Sequence, residues 1–268
     1  MMPDKPNKRI GIIGYGQIGA SLYEQVQQTP ELHLEVAFIY ESDPQKQKLI
    51  PAALAIESMD LSADFKPDLV VEAAHPKAVG QFAAKVLHQT DLMIMSVSAL
   101  ADAALEENIR SVCRQNGTRL YIPHGATLGL DGLKDGISIW EEVTTTMKKN
   151  PKNLNFDAAP DVRAEDISSR TILYDGPTRG VLPLYPKNVN SHATLAMATL
   201  GMDRTRSVLV ADPALDLSII EIDAIGAGTR IHIERSNPIK GVTGKLTILS
   251  VMESIKNILG DQEVVRIC

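Results

Sequence analysis

Cysteine is scarce in this chain of 268 residues, which has only Cys113, in an expected helix, and Cys268 at its end. Two distant cysteines exclude a disulfide framework and a thiolate metal site, and they make a reducing cytoplasm the default compartment. Aromatic residues are 4% of the chain, no run of Lys or Arg exceeds a pair, and the net charge is −6. That combination lacks the basic, aromatic footprint of a nucleic-acid binder, so no nucleic-acid partner is expected. Long apolar runs are missing as well. No window reaches the ~18 residues of a membrane span, and no signal-peptide core precedes the first glycines, so neither a membrane partner nor a targeting segment is expected. No set of His, Asp and Glu has the spacing of metal ligands, so no metal is expected either.

What is present is an ordinary globular composition, 44% hydrophobic and 22% charged, at a length that suits two domains. Continuous apolar runs mark strands covered on both faces at Lys8 to Ile13, Leu34 to Tyr40, Leu69 to Ala73, Leu92 to Ser96 and Arg119 to Ile122. Helical stretches at Gln17 to Gln28, Lys77 to His88 and Ala101 to Asn116 alternate with them, which is the pattern of a parallel, doubly wound sheet. After the Gly-rich segment His124 to Leu133 the texture changes to alternating runs at Glu141 to Met147, Arg170 to Tyr174, Ser207 to Ala211, Ser218 to Ile225 and Thr229 to Glu234. Alternation is the habit of antiparallel strands with one solvated face. One helix, about Ser191 to Leu200, interrupts them, and a last one from Thr243, its expected N-cap, to Leu259 carries Leu246, Leu249, Ile255 and Leu259 at helical spacing. The expected fold is α/β, a Rossmann doubly wound sheet with a second, smaller α+β domain on a mostly antiparallel sheet. Residues 1–125 with 241–268 form the dinucleotide-binding domain, and 126–240 the substrate-binding and dimerisation domain.

The motif Gly14-Tyr15-Gly16-Gln17-Ile18-Gly19 follows the first strand and opens the first helix. Its glycines permit a tight turn and close approach to a pyrophosphate, whose charge the helix N-terminus stabilises. The second strand ends at Tyr40-Glu41, about 20 residues after the last glycine, where an acid accepts from ribose hydroxyls. Glu41 would repel a ribose phosphate and neither Ser42 nor Asp43 offers a cation, so the cofactor expected is NAD, with NADP the alternative. Whether Glu41, Tyr40 or Asp43 faces the ribose depends on the loop.

Several segments, in order and over nearly the whole chain, resemble the aspartate dehydrogenase family. They are Gly11 to Gly19, Val71-Glu72-Ala73-Ala74, Ile122-Pro123-His124-Gly125-Ala126 with Gly129-Leu130-Asp131, Tyr185-Pro186-Lys187-Asn188-Val189-Asn190, Ala211-Asp212-Pro213, and Asn237-Pro238 before the last helix. The resemblance implies NAD(P)-linked interconversion of L-aspartate with iminosuccinate and oxaloacetate, cofactor contacts at Ala126 and at Asn188 or Asn190, and a homodimer. It also implies a catalytic histidine in the strand after Ala211-Asp212-Pro213. In this chain an ungapped placement puts Ile220 at that position, and a small shift puts Ser218 there. A divergent relative acting on another imine or carbonyl, or a cofactor-binding protein without turnover, are the alternatives.

Oxidising an amine requires a general base, for which histidine is the natural choice. His192, near the start of its helix, is the first substitute, with a pKa that the helix N-terminus would lower; its alternative is a solvent-facing residue. His124 in the Gly-rich link could be substrate ligand or acid, and Lys187 could neutralise a carboxylate or move a proton. His75, after Ala74 at the carboxyl edge of the sheet, is placed for the cofactor or for capping ahead of Pro76. A dicarboxylate calls for paired cations, and the second half offers Arg170, Arg179, Arg204, Arg206, Arg230, Arg235, Lys187, Lys240 and Lys245.

Overall fold

The computed structural model describes residues 7–59, 65–159, 161–238 and 245–260. Lys240, Thr243, Gly244 and Cys268 lie outside the described residues, and with them the expected N-cap of the last helix. The chain divides into two compact units. One comprises Met1–Ser96, Ala104–Pro123 and Ile248–Cys268, and the other Val97–Ala103 and His124–Thr247.

The first unit runs β1 (Lys8–Ile13), α1 (Gln17–Gln28), β2 (Leu34–Tyr40), α2 (Pro44–Gln47), β3 (Ala55–Ile56), β4 (Leu69–Glu72), α3 (Pro76–Leu87), β5 (Asp91–Ile94), α4 (Ala103–Asn116) and β6 (Leu120–Tyr121). Its sheet has the order β3-β2-β1-β4-β5-β6 with every pairing parallel. The order reverses between β1 and β4, and the crevice outside the carboxyl ends of such strands is where doubly wound folds bind ligands. Burial explains the apolar runs. Ile10, Ile12, Val36, Ile39, Leu69, Val71 and Met93 pack with Leu22 and Val26 of α1 on one face of this sheet.

Val251, Met252 and Ile255 of the last helix, Lys245–Leu259, complete that core, with Ile258 and Leu259 packed against it. Two expected members of the buried stripe, Leu246 and Leu249, are instead exposed. The stripe that starts from Val251 leaves Leu249 on the opposite side of the helix.

The second unit runs α5 (Leu130–Asp135), β7 (Glu142–Lys149), β8 (Thr171–Pro177), α6 (Thr178–Leu184), α7 (Asn190–Ala198), β9 (Arg206–Ala211), β10 (Leu217–Gly226) and β11 (Thr229–Pro238). The sheet order is β11-β10-β7-β9-β8. Three pairings are antiparallel, but β7 and β9 run parallel, because β8, α6 and α7 lie between them in sequence and make the crossover. Two α-helices, α6 and α7, not one, interrupt the strands among the described residues; α6 escapes a sequence reading because Gly180 and Pro183 lie inside it. β10 alternates strictly between a buried side, with Ser218, Ile220, Ile222 and Ala224, and an open side. No helix among the described residues is long and apolar enough to cross a membrane.

Candidate active site

The glycine turn between β1 and α1 is shaped for a phosphate. Gly14 has φ +97°, and a Cβ there would lie 2.8 Å from the Ala74 backbone, so only glycine lets the two loops approach. At Gly16 a Cβ would meet nothing within 4 Å, which is the open side of the turn. Gly16 caps α1 without a side-chain hydrogen bond, leaving the first helical N–H groups, at Gln17 and Ile18, without intrahelical acceptors. The third glycine, Gly19, is buried against the turn, its missing Cβ falling 2.0 Å from the Gly14 carbonyl oxygen.

A cleft beside this turn is lined by Gly14, Gly16, Tyr40, Glu41, Ala74 and His75, among others. Glu41 is 93% buried by its 7% exposure, and it braces the turn: Oε2 accepts from the Tyr15 backbone N–H at 2.7 Å and Oε1 from that of Asp43 at 2.9 Å. Asp43 turns its own carboxylate to cap α2 through the Gln45 N–H. Tyr40 meets Phe82 edge to face, with ring centroids 5.1 Å apart, and both rings line the cleft. His75 is the N-cap of α3, its Nδ1 accepting from the Ala78 N–H at 3.2 Å, so the neutral ring carries its proton on Nε2.

Beneath this edge lies Glu72, at the end of β4 and almost fully buried. Its carboxylate accepts from the Ala74 N–H at 2.8 Å, the Ser96 hydroxyl at 2.9 Å and the Ser96 N–H at 3.0 Å, tying the loop after β4 to the end of β5. Burial pushes its pKa up despite these donors. The sequence shows Glu72 only as part of a motif; an acid ending a continuous apolar strand is the signal that it is held inside.

The second unit gathers polar groups on the buried side of its sheet. Ser218 pairs with Asn237 and Ile220 with Arg235, and paired residues of an antiparallel ladder point to one side. Because Lys148 pairs with Ile219 on the open side, its neighbour Lys149 points the other way, toward the side of Ser218 and Ile220. Lys149 is 3% exposed. Desolvation, then the Arg235 charge, pushes its pKa down to about 8. His192, on α7, is fully buried, and desolvation followed by the Lys149 charge pushes its pKa down to about 3. The helix N-terminus is not what keeps this imidazole neutral, and the ring does not face solvent. Arg235 is pushed down by burial.

The second unit is rich in unpartnered polar atoms. Both ring nitrogens of His192, Ser218 Oγ, Arg235 Nε, Asn237 Oδ1, Ser191 Oγ and Asn188 Nδ2 are buried with no hydrogen-bond partner among the described residues. An orphaned buried donor or acceptor costs about 1–3 kcal/mol, so these atoms are candidates for bonding to a polar ligand or to water.

The other expected residues are placed differently. Lys187 lies half-exposed in an ion pair with Asp157 at 2.9 Å. His124 is exposed, its carbonyl accepting from the Thr127 N–H at 3.0 Å, with Ala126 half-buried between them. Asn188 Oδ1 accepts from the Asn155 N–H at 3.2 Å and Asn190 Oδ1 from the Ser98 N–H at 3.0 Å, so both amide oxygens organise backbone. Arg179, Arg206 and Arg230 face Asp203, Asp175 and Asp223. Among the cations, Arg235 and Lys149 differ from these in having no acid partner among the described residues. Lys149 escapes the sequence reading, although its place after Val143, Thr145 and Met147 in the alternation of β7 signals a buried cation.

Comparison with known proteins agrees with this geometry. Residues 131–258 match the model of the aspartate dehydrogenase C-terminal family, and residues 14–123 that of the homoserine dehydrogenase NAD-binding domain. The chain is 32% identical to an aspartate dehydrogenase domain-containing protein of Xenopus tropicalis, with all of both chains covered. It is 31% identical to an L-aspartate dehydrogenase of Nitrosopumilus maritimus, over 95% of this chain and 97% of the relative. The fold is shared with the crystal structure of aspartate dehydrogenase from Thermotoga maritima, at a TM-score of 0.78 and 24% identity, covering 97% of this chain and 99% of that one. The chain belongs to the aspartate dehydrogenase family and is an NAD(P)-dependent amino-acid dehydrogenase.

Proposed function

We propose that this protein is an L-aspartate dehydrogenase that prefers NAD, interconverting L-aspartate and iminosuccinate, which water converts to oxaloacetate and ammonia. The observation that carries the reading is that the buried Lys149 and the half-buried Arg235 stand on one side of the second sheet without an acid partner among the described residues. A substrate carboxylate would supply the partner that Arg235 lacks, and Lys149, Ser218, Asn237 and His192 offer further polar groups for the rest of the substrate. The name of the Nitrosopumilus maritimus relative points to the same substrate.

The first unit would bind the dinucleotide, with Gly14, Gly16, Gly19 and the first N–H groups of α1 at the pyrophosphate and Glu41 at the adenosine ribose. NAD supplies the acceptor for the hydride that leaves the substrate Cα. Glu41 supports the preference for NAD, since a carboxylate in that cleft repels a ribose phosphate. The second unit would bind the substrate. A homodimer through its open sheet face is supported by the exposed Ile172 and Ile225, and a cytoplasmic setting by the free thiol of Cys113.

Purified protein with L-aspartate and NAD tests the reading through absorbance of NADH; growth that requires aspartate supports it, and none at any pH from 7 to 10 sinks it. A divergent substrate is favoured by one observation, that β10 carries no histidine from Leu217 to Gly226. Turnover of another amino acid, imine or carbonyl in place of aspartate identifies that case.

A further inference from the structure

Three titratable groups meet on the buried side of the second sheet: Lys149 from β7, Arg235 from β11 and His192 from α7. The neighbouring strands β9 and β10 offer that side Leu209, Ala211, Ser218 and Ile220, none of which titrates near neutrality. Arginine does not release its proton at any working pH. A proton that leaves the substrate on this side therefore goes to Lys149 or to His192.

We propose that Lys149 is the catalytic residue that takes the proton from the substrate ammonium during oxidation and returns it during reduction, while His192 stays a neutral neighbour. The proposal rests on the aspartate dehydrogenase reading for the identity of that amine. Geometry supplies the reasons. Lys149 is buried on the side that carries the unpartnered Ser218, Asn237 and His192 atoms, and Arg235 is the charged group acting on it. A buried lysine with a cation beside it and no acid partner is driven toward the free amine, the form that accepts a proton. Pushed down to about 8, Lys149 suits proton transfer near pH 8, whereas His192, pushed down to about 3, accepts a proton far less readily.

In the oxidising direction the lone pair of Lys149 Nζ forms a bond to an ammonium proton as the substrate N–H bond breaks. The lone pair freed on the substrate nitrogen becomes the second bond of C=N as the Cα–H bond breaks. The hydride passes to the oxidised nicotinamide dinucleotide, which is reduced as the amino acid is oxidised. Lys149, now an ammonium, loses its proton to water before the next turnover.

The test combines an NMR titration with kinetics. In protein carrying ¹³C-labelled lysine, one Cε resonance is expected to titrate near 8, well below the ordinary 10.5, and to be missing from Lys149→Arg. This readout needs no turnover, so it separates failure of the proposal from failure of the aspartate reading. In oxidation assays the wild type is expected to gain kcat/KM as pH rises through about 8. Lys149→Arg keeps the cation but cannot give up its proton, and should lose roughly 10²–10⁴-fold in kcat together with that limb. Lys149→Ala should recover activity with added ethylamine, and His192→Asn should keep the limb. NADH fluorescence and circular dichroism establish that each variant is folded. A Lys149 resonance titrating at the ordinary value, or a limb lost in His192→Asn and kept in Lys149→Arg, would overturn the proposal.

Discussion

Glu41 accepts a 2.7 Å hydrogen bond from the backbone N–H of Tyr15, which binds the acid at the end of β2 to the glycine turn at the start of α1. The side chain proposed to select the ribose thus also holds the glycine turn in shape.

Glu41→Ala is expected to remove both effects. The ratio of kcat/KM with NADPH to that with NADH should rise roughly tenfold or more as the like-charge repulsion is lost. Affinity for NADH should fall, because the Tyr15 and Asp43 N–H groups lose their acceptor. Fluorescence titration with each cofactor checks this, and an unchanged ratio would mean that Glu41 does not face the ribose.

Ser218→Ala should separate stability from activity. The Ser218 hydroxyl is buried and has no partner among the described residues, so its removal should raise stability in the unliganded protein by about 1 kcal/mol, or about 2–4 °C in Tm. KM for aspartate should rise as a ligand contact disappears. Calorimetry beside steady-state kinetics reads both; a fall in Tm would show that the hydroxyl is bonded in the native protein.

Arg235→Met removes the half-buried cation beside Lys149 and fills part of its volume. KM for aspartate and Ki for succinate are expected to rise together by roughly a hundredfold, with kcat changed far less, because the guanidinium binds a carboxylate in ground and transition states alike. Loss of kcat without loss of succinate binding would place Arg235 elsewhere in the chemistry.

His192 links stability to pH. Folded, its pKa is pushed from 6.5 down to about 3, so below 6.5 the unfolded chain binds a proton that the folded chain refuses. The stability tied to this ring is present above pH 6.5 and is lost as pH falls toward about 3. His192→Asn should flatten the fall of Tm between those limits, measured by scanning calorimetry at low salt. Parallel curves for variant and wild type would show that the ring is not buried uncharged.

The first unit was legible because its signals reinforce one another. The run from Ile10 to Ile13 is apolar at every position, the glycines follow at once, and Glu41 stands at the end of the next strand. The short β3 and α2 carry too few residues for any period to register. The site of the second unit was harder to read. Arg235 is one arginine among several until the register sets it across from Ile220, and Asn237 falls in a polar stretch, Arg235 to Asn237, that resembles a loop. Lys149 ends an alternating strand whose readable pattern stops at Met147. His192 is recognisable as a candidate from its neighbours in sequence, but the charge that acts on it comes from Lys149, on a strand far away in the sequence.

The most direct test of the central claim is steady-state NADH consumption by the pure protein with oxaloacetate and ammonia together and with each alone. Consumption that requires both is predicted, since the imine forms only from the pair. Consumption with oxaloacetate alone would contradict the account by making the protein a reductase of the keto acid, and none with either, in protein that binds NADH, would take the aspartate reaction away from this chain.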